Sequence, residues 1–101
     1  MSEEHPFGRQ LEVISGFELE DGSAIRCWKD FDNGYSISTI RHNMSYGGKA
    51  GLYEIAVFYK RVGREVEGIT DEGDYVAGWL TYEDVLERHE KVKNLLPNLL
   101  N

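Results

Sequence analysis

The chain has 101 residues, of which 41 % are apolar and 12 % aromatic, and it carries a formal net charge of −7 at pH 7. That length and composition predict one domain over residues 1–101, with enough apolar material for a single modest core. No apolar run approaches the roughly 20 residues of a membrane span, and residues 1–9, with Glu3, Glu4 and Pro6, lack the basic start and apolar stretch of a secretory leader, so a cytoplasmic protein is expected.

In chain order, Leu11, Val13, Phe17 and Leu19 predict a half-buried strand over 11–19, with a bulge near Ser15 and Gly16. Asp21-Gly22 is a hairpin turn signal, and residues 24–29, with Ile25, Cys27 and Trp28, are the predicted return strand. The lone Cys27 has no partner for an internal disulfide, which fits a reducing compartment, and its position predicts a small core side chain. Asp32-Asn33-Gly34 marks the next turn and leads into a third strand over 35–41, where Tyr35, Ile37 and Thr39 alternate with Ser36 and Ser38. After an irregular stretch, residues 52–60 carry Tyr53, Ile55, Val57 and Tyr59 on one face and Leu52, Ala56 and Phe58 on the other. A strand that is apolar on both faces is predicted to be central.

Residues 61–74 are polar and punctuated by Gly63, Gly68 and Gly73, which predicts a loop with a brief extended piece near Val66; 75–80 is a further short strand. The clearest element is an amphipathic helix over 80–96. Thr81 is its N-cap and Asp84 completes a capping box, Leu80 and Val85 form a staple, and Pro97 ends it. Its stripe is Tyr82, Val85, Leu86, His89, Val92 and Leu96, and Asp84 with Arg88 and Glu87 with Lys91 are i, i+4 pairs. Strands first and one helix last predict an α+β fold: an antiparallel meander of four to five strands with one C-terminal α-helix packed on one face. The other face, bearing Trp28 or Phe58, then needs solvent, the N-terminal arm or a second subunit.

Charge is segregated along the chain. Residues 1–24 sum to −5, 25–64 to +4 and 65–101 to −6. A mostly acidic surface disfavours direct nucleic-acid binding and suits a basic protein partner. The stretch 41–51 is where polar, cationic and aromatic side chains meet glycines, and it supplies the candidate binding residues Arg41, His42, Tyr46, Gly47, Gly48 and Lys49. Gly47-Gly48-Lys49 is not a nucleotide-binding P-loop, because Asn43 stands where that motif has its first glycine and Ala50 where it has Ser or Thr. A milder reading has the glycine amides, Arg41 and Lys49 holding an anionic group. His42 would act as a base only with an orienting carboxylate and a nucleophile such as Ser45 in reach. His89, inside the helix stripe, reads as a buried imidazole. His5, His42, His89 and Cys27 lack zinc-ligand spacing, and Asp71, Glu72 and Asp74 lack that of a calcium loop, so no metal, no cofactor and no catalytic residue is expected. Tyr46, Tyr53 and Trp79 are the residue types that anchor interfaces.

The runs Ser36-Ile37-Ser38, Arg41-His42, Ser45-Tyr46-Gly47-Gly48, 51–57, Gly78-Trp79-Leu80-Thr81 and Glu83-Asp84-Val85 resemble short uncharacterised proteins encoded by phages and prophages of Gram-positive bacteria. The likeness covers roughly the C-terminal two thirds and brings no reaction with it. It implies a small protein in the bacterial host cell that works by binding a host or phage protein, and the basic middle segment argues against mimicry of DNA along one acidic face. The leading expectation is therefore a non-enzymatic binder acting through an acidic surface and the 41–51 loop. The alternatives are a small anionic-ligand binder or minor enzyme built on Arg41, His42, Tyr46 and Lys49, and a homodimer formed through the uncovered sheet face or an edge strand.

Overall fold

The computed structural model describes residues 4–96. They form seven strands, β1 (Glu4–His5), β2 (Gly8–Gln10), β3 (Ile25–Asp30), β4 (Tyr35–Arg41), β5 (Tyr53–Tyr59), β6 (Val62–Gly63) and β7 (Val76–Leu80), followed by one helix, α1 (Tyr82–Lys93). Every pairing is antiparallel. Strands β1 to β6 lie side by side in chain order, and β7 pairs with β5 on the edge that β6 also uses. Five of the strands have three residues or more, and with the terminal helix they make the predicted α+β meander.

Strand β5 is central because its sequence alternates without a break. Tyr53, Ile55, Val57 and Tyr59 are all buried on the face beneath α1, and Glu54, Ala56 and Phe58 are half-exposed on the other. Opposite it, β4 sets Tyr35 against Tyr59, Ile37 against Val57 and Thr39 against Ile55, so two strands present one apolar sheet to the helix. The helix answers with Val85, His89 and Val92, a narrower stripe than predicted, since Tyr82, Leu86 and Leu96 remain exposed. Each buried aliphatic side chain contributes about 1.5–3 kcal/mol, against about 0.3–0.5 kcal/mol for the exposed Glu87–Lys91 pair at 3.7 Å. Packing, not surface charge, holds the helix down.

Both ends of α1 are fixed by side chains. The Thr81 hydroxyl accepts the Asp84 N–H at 3.1 Å while the Asp84 carboxylate accepts the Thr81 N–H at 3.1 Å, completing the capping box. Asp84 makes no ion pair with Arg88, which instead donates to the Ile69 carbonyl at 2.7 Å and ties the 64–75 connection to the helix. At the other end Asn33, from the turn between β3 and β4, donates to the carbonyls of Val92 at 2.8 Å and Leu95 at 2.9 Å, satisfying orphan acceptors of the last turn. The helix ends at Lys93; Pro97 and the tail 98–101 lie outside the described residues.

The first predicted strand is displaced. Residues 11–19 form no strand; Phe7 sets the ladder upstream instead, fully buried between sheet and helix with its ring 5.0 Å from Tyr53 and 4.9 Å from Tyr82. That places Arg9 opposite Trp28 and Gln10 opposite Cys27, and the chain crosses β3 so closely at Gly8 that a Cβ there would collide with the Trp28 carbonyl. After Leu11 donates to Arg26 the ladder stops, and the 11–24 excursion is fastened by Asn43, whose amide donates to Gly16 at 2.8 Å and Glu18 at 3.2 Å. Cys27 is fully buried, and burial pushes its thiol up, as for an inert core side chain.

His89 is 6 % exposed, with Nε2 3.5 Å from the Thr39 hydroxyl. Burial, with a smaller contribution from Lys29, lowers its pKa from the ordinary 6.5 to about 4. The unfolded chain therefore binds the extra proton between those values, and stability present above pH 6.5 is lost as the pH falls toward 4. Urea unfolding at pH 7 and at pH 4.5 is expected to show His89 costing up to about 3 kcal/mol over this window. In His89→Leu that slope flattens; an unchanged slope would refute the assignment.

Candidate functional site

The connection between β4 and β5 holds most of the polar residues singled out in the sequence, and it spends them on its own shape. Ser45 Oγ accepts the His42 N–H at 3.0 Å and donates to the His42 carbonyl at 3.0 Å. His42 Nδ1 accepts the Met44 N–H at 3.0 Å, and the ring packs 5.2 Å from Phe17. With Nδ1 an acceptor, the ring proton sits on Nε2, and the Ser45 hydroxyl faces the backbone, not the imidazole. This is loop architecture, not a nucleophile beside its base.

The glycines behave likewise. Gly48–Ala50 is a single 3₁₀ turn flanked by Gly47 and Gly51 at φ +86° and +81°. The N–H groups of Gly48, Ala50 and Gly51 donate to Ser45, Gly47 and Gly48 at 3.1, 3.0 and 3.0 Å, and Leu52 donates to Gly47 at 2.9 Å. Those amides are occupied and form no cradle for an anion. Gly48 is also held by space, since a Cβ there would collide with the His42 carbonyl.

The cationic and aromatic candidates face different hollows. Arg41 and Lys49 line a groove of about 630 Å³ together with Asn43, but its opposite wall is Glu18, Glu20 and Asp21. The Arg41 guanidinium lies 5.2 Å over the Tyr53 ring, with Nη1 3.4 Å from its hydroxyl. Glu18 is held below the usual carboxylate range by its own N–H and that of Gly16, and Asp21 by the hydroxyl and N–H of Ser23, so both stay charged near neutrality. Tyr46 lies instead in a shallow depression of about 310 Å³ with Met44, Ala50 and Trp79, which shares Asn43 and Lys49 with the groove. Arg41, His42, Tyr46 and Lys49 do not converge on one concavity.

What the structure assembles beside Tyr46 is an apolar patch built on a bulge. Tyr53 pairs with Leu80 and Ile55 with Ala77, so Gly78 and Trp79 together oppose Glu54 alone. Trp79 is the extra residue, at φ +59°, a left-handed conformation that is an outlier for so bulky a side chain, and the residue is 64 % exposed. Tyr46, 62 % exposed, and Met44, 72 % exposed, flank it. The patch is tied down through the backbone: the Trp79 N–H donates to the Tyr46 carbonyl at 3.2 Å, and the Tyr46 N–H to Glu54 Oε1 at 2.8 Å. Tyr46 also sits over Gly78, where a Cβ would collide with its own. Of the three aromatics singled out as anchors, Tyr53 is a core residue at 7 % exposure, whereas Tyr46 and Trp79 are neighbours at the surface. Met44 was not singled out, and the signal that could have located the patch is Gly78, a glycine inside a strand pattern.

Among the described residues no group of three or more His, Cys, Asp or Glu is placed to hold a metal ion, and no helix is long and apolar enough to cross a membrane. Comparison with protein-family models, curated proteins and solved structures gives no match.

Because Gly48 is fixed by the His42 carbonyl, Gly48→Ala is expected to reopen the loop and cost roughly 2 kcal/mol or more in urea unfolding. Gly51→Ala, with open space around its Cβ, is expected to cost only the strain of a left-handed alanine, about 1 kcal/mol. Equal costs would contradict this reading of the loop.

Proposed function

We propose that the protein is a non-enzymatic binding protein of phage or prophage type, which docks on a host or phage protein through the 41–51 loop and the acidic wall beside it. Trp79 carries this reading. Its left-handed backbone costs about 1–2 kcal/mol, and its exposed indole returns little of that in burial. A folded protein keeps such a residue where the side chain works on something outside the fold. Trp, Tyr and Met are enriched at the buried centres of interfaces, and Trp79, Tyr46 and Met44 are contiguous here. Asn43 and Lys49 join this patch to the groove whose far wall is Glu18, Glu20 and Asp21. The matching partner offers an apolar pocket for the indole and basic residues at the rim. The Ser45 hydroxyl is bonded to the His42 backbone and not to its imidazole, and Arg41 and Tyr46 line different hollows; both support binding over catalysis, and no residue is assigned a catalytic role.

Affinity capture from a Gram-positive host lysate, with the wild type beside Trp79→Ala and Tyr46→Ala, tests this. Each substitution is expected to lower retention of the same partner by roughly 30-fold, the effect of a hot-spot residue, while leaving the unfolding midpoint within a few degrees. Added salt is expected to weaken capture further, through the acidic wall. Undiminished capture by both variants would contradict the proposal.

A further inference from the structure

The face of the sheet turned away from α1 has no second layer, since all seven strands lie in one sheet and the one α-helix of the described residues packs on the other side. Its relief is uneven. The register aligns Trp28, Ser38, Ala56 and Val76 in one row, and Ser36, Phe58 and Gly63 in the next, about 7 Å further along the strands. Trp28 and Phe58 lean together at 5.2 Å, Phe58 meets Tyr75 at 5.7 Å, and the Tyr75 ring lies on Gly63, where a Cβ would stand 2.8 Å from it. These three rings form a ridge. Beside it Ser38, Ala56 and Val76 floor a trough, whose far wall is Tyr46 standing over Gly78.

From this relief we infer that the uncovered face binds a second copy of the same chain, the ridge of each protomer entering the trough of the other about a two-fold axis that lies between the two sheets, parallel to the ridge. A ridge and a trough side by side on one surface are self-complementary under that rotation, and face-to-face packing at about 10 Å is the ordinary way for a sheet to cover an apolar side. The charges agree. Arg9, Arg26 and Arg61 share this face with Asp30 and Glu54, so each protomer offers both signs to its partner. Arg61 sits 5.5 Å over the Trp28 ring from a turn in which Lys60 and Arg61 are both left-handed, at φ +50° and +72°. That same cap closes the indole face on which a nucleobase would stack, so the face favours a protein occupant. This inference shares Tyr46 with the Trp79 patch but makes no use of the Trp79 indole, so Trp79→Ala tells the two apart.

Sedimentation velocity of the full chain, from low micromolar to near-millimolar concentration, tests it against a monomer mass of 11.6 kDa. The wild type is expected to double its mass with rising concentration, Ala56→Glu to stay monomeric throughout with an unchanged circular dichroism spectrum, and Trp79→Ala to dimerise like the wild type. If Ala56→Glu fails to fold, Arg61→Glu at the turn serves in its place, and is expected to weaken the dimer at least tenfold. A wild type that remains monomeric overturns the inference, as does a dimer that survives these substitutions or is lost only in Trp79→Ala. A monomer whose Trp28 emission responds to a single-stranded oligonucleotide would assign the face to another occupant and equally overturn it.

Discussion

The unbroken alternation of β5 is the constraint from which the rest of the molecule follows. One face of the strand is sealed by α1 and one edge is filled by β4 along almost its whole length, so the remaining edge must accommodate both β6 and β7. Strand β7 has little freedom in how it does so. Ala77 must lie inward beside Ile55, and Leu80 must lie inward beside Tyr53, one residue before the Thr81 cap. Three intervals on β7 then have to match two on β5, and the surplus is the Gly78–Trp79 bulge. A surplus residue before the helix is thus the local consequence of joining a central strand to a capped helix without a linker, whereas nothing in the register asks that a left-handed position there be an exposed tryptophan.

The loop between β4 and β5 depends on the same strand. Glu54, on the outer face of β5, receives the Tyr46 N–H, and Trp79 donates to the Tyr46 carbonyl, so loop and bulge are positioned by one another. His42, Ser45 and the glycines supply the rigidity. Their hydrogen bonds are satisfied inside the loop, which leaves chemistry-bearing side chains serving as scaffold for an apolar surface. Such preorganisation would favour the proposed binding, because a patch already ordered loses less entropy when a partner arrives.

Legibility in the sequence followed the range of the interaction. Strands β4 and β5, the 32–34 turn, the Thr81–Asp84 box and the succession from strands to helix were readable because each is set by neighbours within a few residues. The N-terminal strand was misplaced because Leu11, Val13, Phe17 and Leu19 alternate locally, whereas Phe7 wins the register through contacts with Tyr53 and Tyr82, far along the chain. Asn33 reads as an ordinary turn residue, and only the fold reveals that it also closes the end of α1, some 60 positions away. Grouping Arg41, His42, Tyr46 and Lys49 by proximity in sequence placed them together in one loop, but side chains on a tight turn diverge: Arg41 and Tyr46 line different hollows, Lys49 borders both, and the His42 ring packs against Phe17.

The bulge and the surface beside it turn on the orientation of one indole. In Trp28→Phe, which leaves Trp79 as the sole tryptophan, emission is expected to be that of a water-exposed indole, fully quenched by acrylamide in the native state and little changed on unfolding in urea. A blue-shifted native emission protected from the quencher would place Trp79 inside the fold, and would contradict both the bulge and the surface argued from it.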